Sequence, residues 1–261
     1  MNIIVCIKQV IAGDQVRFDP TTHGLIRSAE FSRINPFDLF ALEMAVKLKK
    51  ESSGPITALT MGPKISEEVL WEALTIGADR AVLLSDPRFA GSDTLATSYV
   101  LGMGIRKIGP FDLILCGMRT TDSDTAQVGP QLAEELDIPH VTSVEQLAWE
   151  KGRFRVERTS DGFREAIEIS TPALFTISPK TLAHIPSLAE IQDTFAQSSI
   201  DCWNLEDLKA DPNRVGPAGS RTWVSGLIPV TQQKSCAFVK GDVRQQAKSL
   251  LSKLMEKNLI S

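Results

Sequence analysis

The sequence is poor in aromatic residues, which make up 6% of it, and it has a single tyrosine. It has 3 histidines and 4 cysteines. His23, His140 and His184 are scattered, and Cys6, Cys116, Cys202 and Cys236 form no C-x-x-C pair. That spacing argues against zinc and iron–sulfur frameworks. Cys6 and Cys116 lie in apolar runs, where a buried reduced thiol is expected, so a reducing cytoplasm fits. No apolar run reaches the ~18–20 residues that a membrane-spanning helix needs. The opening MNIIVCIKQV lacks a basic region before its apolar stretch, so it reads as a first strand, not a signal peptide. A surplus of one charge is missing too, with 28 basic against 32 acidic residues and a net charge of −4. That balance gives no footprint for nucleic acid.

What remains is an ordinary globular composition, 43% hydrophobic over 261 residues, enough for one or two packed domains. Asn2–Ile7, Ile56–Met61, Ala81–Leu84 and Leu113–Cys116 read as short buried strands. Helices are predicted from Asn35-Pro36, over Ser66–Ile76 with Gly77 as its end, over Ser92–Ile108, and around Thr125–Leu136. Leu39, Leu42 and Val46 mark the inner stripe of the first helix. Leu95, Leu101, Ile105 and Ile108 are core candidates in the third. This alternation predicts an α/β fold, doubly wound around a mainly parallel sheet. In such sheets a ligand lies beyond the carboxyl ends of the strands. Val16–Asp19 and Leu25–Arg27 fit a small excursion hairpin. Beyond about residue 175 the pattern degrades, and a basic amphipathic helix, about Val243–Lys257, closes the chain. The expected division is an α/β domain over 1–190 and an arm over 191–261 that packs on a partner.

The richest local signal is Leu113–Pro130, LILCGMRTTDSDTAQVGP. A buried strand ends at Gly117, a loop of hydroxyls and acids follows, and a helix begins near Asp124-Thr125. The amides of Thr125, Ala126 and Gln127 would then be unpaired and would favour an anion. Gly129 permits close approach. Asp122 and Asp124 oppose a phosphate and suit caps or ribose hydroxyls better. A well-capped acidic helix with no ligand fits the same spacing. Asn35-Pro36-Phe37-Asp38, Met61-Gly62-Pro63 and Ser92-Asp93-Thr94 stand at other loop ends of the same edge. No histidine lies there to complete a nucleophile–base pair, so the chain reads as a cofactor holder.

These residues carry a family resemblance. IVCIKQV, INPFDLFALEMAVKLK, TMGP, EALTIGADRAVLLSD and DLILCG…DSDTAQVGPQLAEELDIP resemble the beta subunit of electron-transfer flavoproteins. The resemblance runs from residue 1 to about 175 and resumes at Gly219–Val224 (GSRTWV). It implies a heterodimer with an alpha subunit that carries a redox-active FAD, the chain here being a carrier subunit rather than a stand-alone enzyme. It also implies a nucleotide in the beta subunit, AMP in ordinary carriers and FAD in electron-bifurcating members, where NADH is the electron donor. The run D-x-D-T-A-Q-V-G-P resembles the bifurcating type, so FAD is favoured over AMP. The cofactor-binding positions implied are Cys6 at the first strand end, then Asn35, Pro36, Phe37 and Asp38. Met61 and Gly62 follow the second strand, and Thr94 and Thr97 open the third helix. Gly117, Met118, Arg119, Asp122, Asp124, Thr125, Ala126, Gln127, Val128 and Gly129 form the long loop.

Two departures stand out. The family usually has K/R-Q-A-I after the glycine, whereas this chain has Met118-Arg119-Thr120-Thr121. Ala183-His184-Ile185-Pro186 resembles the anchor that docks an acyl-CoA dehydrogenase, with Ile185 as the anchoring side chain, but its flanks differ. Phe37 leans toward the alpha-subunit flavin by the same resemblance, and Trp203 and Trp223 are expected at packing interfaces. Neither nucleic acid nor membrane insertion is expected. A stand-alone ATP-binding enzyme of related fold is the alternative from another class. Lys8–Asp14 does not supply the S-G-G-x-D-S loop such an enzyme uses.

Overall fold

The computed structural model describes residues 1–11, 17–18, 25–26, 32–179, 188–225 and 236–260. In chain order the first elements are β1 (Ile3–Cys6), β2 (Gln9–Ile11), β3 (Arg17–Phe18), β4 (Leu25–Ile26), β5 (Ser32–Ile34) and α1 (Pro36–Ser52). β6 (Ile56–Met61), α2 (Glu67–Ile76), β7 (Arg80–Leu84), α3 (Thr94–Ile108), β8 (Leu113–Gly117) and α4 (Val128–Leu136) follow. Then come β9 (His140–Glu150), β10 (Arg153–Ser160), β11 (Phe163–Ile169), β12 (Ala173–Ile177), α5 (Leu188–Gln197) and β13 (Ile200–Trp203). The short α6 (Leu205–Leu208) and α7 (Gly216–Gly219) precede α8 (Val243–Glu256). Among the described residues no helix is long and apolar enough to cross a membrane.

Nine strands form one sheet in the order β11-β10-β9-β12-β8-β1-β6-β7-β13. Its centre is parallel, with Ile3 beside Ile56 on one side and Leu113 on the other. The predicted strands are too apolar on both faces to meet water, and helices cover both. On one face α1 and α2 pack on Val5, Ala58 and Leu83. On the other, α3 and α4 pack on Ile4, Leu59, Val82 and Ile114. The fold is therefore α/β and doubly wound. Proline at its first turn and Lys49 and Lys50 in its last favour α1. Its buried stripe is Asp38, Ala41, Leu42, Ala45 and Leu48. Fully burying each of these leucines contributes about 1.5–3 kcal/mol. The expected Leu39 and Val46 lie at the margin of that stripe. Leu95, also expected inside, is exposed because it falls on the outer side of the first turn of α3.

From β1 the sheet grows through β6 to β7, and the chain then returns to lay β8 on the opposite side of β1. That reversal makes the gap between the carboxyl ends of β1 and β8 a topological switch point, the usual ligand crevice of such sheets.

One addition was not read from the sequence. After α4 the chain forms an antiparallel meander, β9-β10-β11, before β12 returns parallel to β8. Two tight turns build it: Lys151-Gly152 and Asp161-Gly162 both have φ > 0, as a two-residue type I′ hairpin requires. Of the excursion hairpin, Arg17–Phe18 pairs with Leu25–Ile26 antiparallel; its connection lies outside the described residues.

By its contacts the chain divides into Met1–Ser225 and Gly226–Ser261. Residues 191–225, assigned above to the arm, carry β13, which pairs with β7. They also carry a staple. Asp93 caps α3 through Oδ1, taking the N–H groups of Leu95 and Ala96, both at 3.0 Å. Its Oδ2 accepts from the N–H of Arg221 at 2.7 Å and of Thr222 at 2.9 Å. Burial raises the Asp93 pKa, but these amide donors outweigh it and hold the carboxyl below its ordinary value. Asp93→Ala is expected to cost about 2–3 kcal/mol by losing a cap and the staple together. Urea unfolding checks this, and a loss under ~0.5 kcal/mol would mean the staple contributes nothing. In the second unit, Asp242 and Gln245 form a capping box that starts α8.

Candidate functional site

The site is built around α1, whose first turn enters the crevice. Asn35 precedes Pro36 as the expected cap residue, but its side chain does not cap the helix. Instead its Nδ2 donates to the carbonyl of Arg119 at 2.9 Å, and its Oδ1 accepts from the N–H of Thr121 at 3.3 Å. Asp38, in phase with the buried stripe, accepts from the N–H of Lys8 at 2.7 Å and of Gly117 at 3.1 Å. Two side chains of one helical turn thus lash the loop after β8 to the end of β1. Burial pushes the Asp38 carboxyl up to about 7, against the opposing pull of Asn35, these two amides and the Lys8 charge.

The loop itself is charge-balanced. Asp122 pairs with Lys8 Nζ at 2.7 Å and also takes the N–H of Ser123 at 2.7 Å. Burial raises the Asp122 carboxyl, but Lys8 and the hydrogen bonds around it hold it below its ordinary value. Asp124 faces Arg119 at 3.3 Å. The repulsion expected between two acids and a phosphate is thus offset by two bases. The Arg119 guanidinium also lies over the Phe37 ring, 5.0 Å from its centre. Arg119 and Asp124 are both exposed, so their ion pair contributes at most ~1 kcal/mol and is readily exchanged. Met118 turns the other way, with its N–H on Ile177 and its sulfur near Ser178. The basic side chain shifted by one position therefore still faces the crevice.

The helix predicted from Thr125 starts three residues later, at Val128. Asp124 (φ 50°) and Ala126 (φ 56°) adopt left-handed backbone, which breaks the helix before it can begin. Each such residue costs about 1–2 kcal/mol for a side chain with a Cβ, so the conformation is held by its surroundings. Among the described residues, the N–H groups of Thr125, Ala126 and Gln127 find no acceptor. The unpaired amides expected from the sequence are present, but on a strained turn rather than within a helix. Such turns form anion-binding concavities. Gln127 is fixed by Thr94, whose hydroxyl donates to its Oε1 at 2.9 Å. Ser98 reaches the Val128 carbonyl at 3.3 Å. The head of α3 is thus coupled to the head of α4. Gly129 packs against Thr176 and Leu174.

Cys6 and Cys116 are in-register neighbours on β1 and β8 and form the floor beneath the loop. Each is buried, and the hydrogen bond that the Cys116 thiol shares with Cys6, together with burial, raises that thiol well above its ordinary value. Met61 lies at the same edge, one strand further on, and the N–H of Gly62 is taken by Leu84 at 3.0 Å. Thr97 is one turn into α3, its N–H on Asp93. Ile185 lies outside the described residues. Lys8 was not singled out by sequence; its one signal was its place directly after a buried strand.

A family model described as electron transfer flavoprotein domain matches residues 22–199. The electron transfer flavoprotein subunit beta of Thermoanaerobacterium thermosaccharolyticum is 39% identical over 261 residues, covering 100% of both chains. This chain belongs to the electron transfer flavoprotein family. The caffeyl-CoA reductase–Etf complex subunit CarD of Acetobacterium woodii is 40% identical over 263 residues, again across 100% of both. Protein FixA of Sinorhizobium fredii is 38% identical, covering 98% of this chain and 92% of FixA. In the family's terms this is a beta-type chain, matched along its whole length by beta subunits.

Proposed function

We propose that this chain is the beta subunit of a heterodimeric, bifurcating electron-transfer flavoprotein and holds FAD in the crevice between β1 and β8. The observation that carries this reading is the strained turn at Asp124–Ala126, which presents three unpaired amides at the switch point of the sheet. Strain held at such a place points to a ligand. The residues present fit a dinucleotide. The amides of Thr125, Ala126 and Gln127 would take the pyrophosphate, Arg119 would exchange Asp124 for it, and Met61 would lie beside the adenine. Asn35 and Asp38 hold the loop, Gly117 lets the loop approach α1, and the apolar sheet excludes water from below. FAD bound there supplies two-electron chemistry toward NADH and one-electron chemistry toward the flavin of an alpha subunit. Support for FAD over AMP comes from the D-x-D-T-A-Q-V-G-P run. Support for an acyl-CoA dehydrogenase or reductase partner comes from the relative named as part of a caffeyl-CoA reductase complex, and docking through Ile185 rests on the resemblance of Ala183-His184-Ile185-Pro186 to the family's anchor. The chain works in the cytoplasm in this reading.

AMP is the second reading, since a single phosphate satisfies the same amides. Flavin analysis of the native complex with the alpha subunit separates the two. Two FAD per heterodimer are expected; one FAD with AMP returns the chain to the ordinary carriers, and no adenine nucleotide in the beta subunit overturns the site. In the same assay Thr125→Leu or Asp124→Leu is expected to lower retained nucleotide at least ~10-fold, about 1.4 kcal/mol. Unchanged content with unchanged melting would move the site elsewhere.

A further inference from the structure

We propose that Lys8 is the positioning residue of the nucleotide loop and acts through Asp122. This rests on the reading of the crevice as a nucleotide site. Lys8 joins three segments with its three polar groups. Its N–H donates to Asp38 at 2.7 Å, its carbonyl accepts from the N–H of Asn35 at 2.8 Å, and its ammonium holds Asp122 at 2.7–2.8 Å. The first two bonds fix the backbone of Lys8 to the head of α1. The third carries that fixed point across the crevice to the loop after β8.

Asp122 is placed where this matters. Residues up to Thr121 are braced by Asn35 and Asp38, and the unpaired amides begin at Thr125. Asp122 is the next anchor before those amides. Its side chain is 9% exposed, against 34% for Lys8. A carboxylate so sheltered stays ionised in place only while its cation is there. Without Lys8 it turns toward water or takes up a proton, and the turn carrying the amides moves with it. The ion pair also neutralises a negative charge that would otherwise face the phosphates. Lys8 thus acts at one remove, by fixing where the amides stand, and its ammonium is already engaged by both oxygens of Asp122.

The test uses the complex with its alpha subunit, stripped of nucleotide and titrated separately with ADP and FAD. The variants are Lys8→Met, Asp122→Asn, the double change and Lys8→Arg. Both single changes are expected to weaken binding about 10–100-fold, and the double to be no weaker than the worse single, the signature of one shared interaction. Lys8→Arg should recover to within about fivefold, since it keeps the cation. If Lys8→Met weakens binding and Asp122→Asn does not, Lys8 touches the phosphate itself and the proposal is overturned. Additive losses, or unchanged affinities in both singles, overturn it as well. So does a drop in nucleotide-free melting temperature with unaltered affinity in the folded fraction, because the pair would then serve stability alone. Failure of the unaltered complex to bind either ADP or FAD would remove the site reading itself, and this inference with it.

Discussion

Gly117→Val is expected to empty the nucleotide crevice and to cost the fold roughly 2–6 kcal/mol. The cause is a backbone approach that no repacking relieves. A Cβ built on Gly117 falls inside contact distance of Asp38 Oδ1, 2.7 Å from the Phe37 carbonyl carbon and 2.8 Å from its Cβ. Two of these three atoms move only with α1. That helix is locked by its buried stripe, so β8 or the loop must yield. Overpacking of this kind typically costs 1–3 kcal/mol. To it is added the bond from the Gly117 N–H to the buried Asp38 carboxylate, about 1–3 kcal/mol when broken. Gly129→Ala is the control. Its nearest obstacle is the methyl of Thr176, a side chain rather than backbone but a buried one whose hydroxyl accepts from the Ser143 N–H, so about 1–3 kcal/mol is expected. Denaturant midpoints and nucleotide retained on gel filtration measure both. A Gly117→Val midpoint equal to that of the unaltered protein would show that the head of α1 and the end of β8 do not meet as described.

The central strands were readable because they are short, apolar runs bounded by turn residues, and all four lie within a residue or two of their predicted places. Periodicity also located α1, α2 and α3 closely. The start of α4 was not readable. Thr125-Ala126-Gln127 has ordinary helix propensity, and the left-handed turns at Asp124 and Ala126 are imposed by loop contacts that no local rule encodes. Asn35 illustrates the same limit. Its position announced a helix cap, but its amide is used to brace a loop that is 84 residues away in sequence. The meander of β9 to β11 does leave a trace in the sequence, in the turn residues Lys151-Gly152 and Asp161-Gly162 between alternating segments. β13 left almost none, being a four-residue edge strand fixed by pairing with β7 and by Arg80–Asp201 contacts.

A second large effect is expected from Asp38, and its sign with pH follows from burial. Burial lifts the folded carboxyl to about 7 from an ordinary value of 3.8. Between those two values the native chain keeps a proton that the unfolded chain has released. Stability from this group is therefore greatest at low pH and falls as pH rises toward 7, by about 1.4 kcal/mol per unit over the steep part. Asp38→Asn supplies a neutral side chain of the same shape and removes that slope. Urea titrations of both forms at pH 5 and pH 8 should show the variant gaining about 2–3 kcal/mol relative to the unaltered protein across that interval. The competing force is explicit: the N–H groups of Lys8 and Gly117 and the nearby Lys8 charge all favour the anion. If they outweigh desolvation, the difference between the two forms will not change with pH, and Asp38 is an ordinary buried carboxylate. If the gain appears, the brace that joins β1, α1 and the loop after β8 is weakest above neutrality. Nucleotide retention should then fall over the same pH range in the unaltered complex and stay flat in Asp38→Asn, because the loop that carries Thr125–Gln127 hangs from that brace.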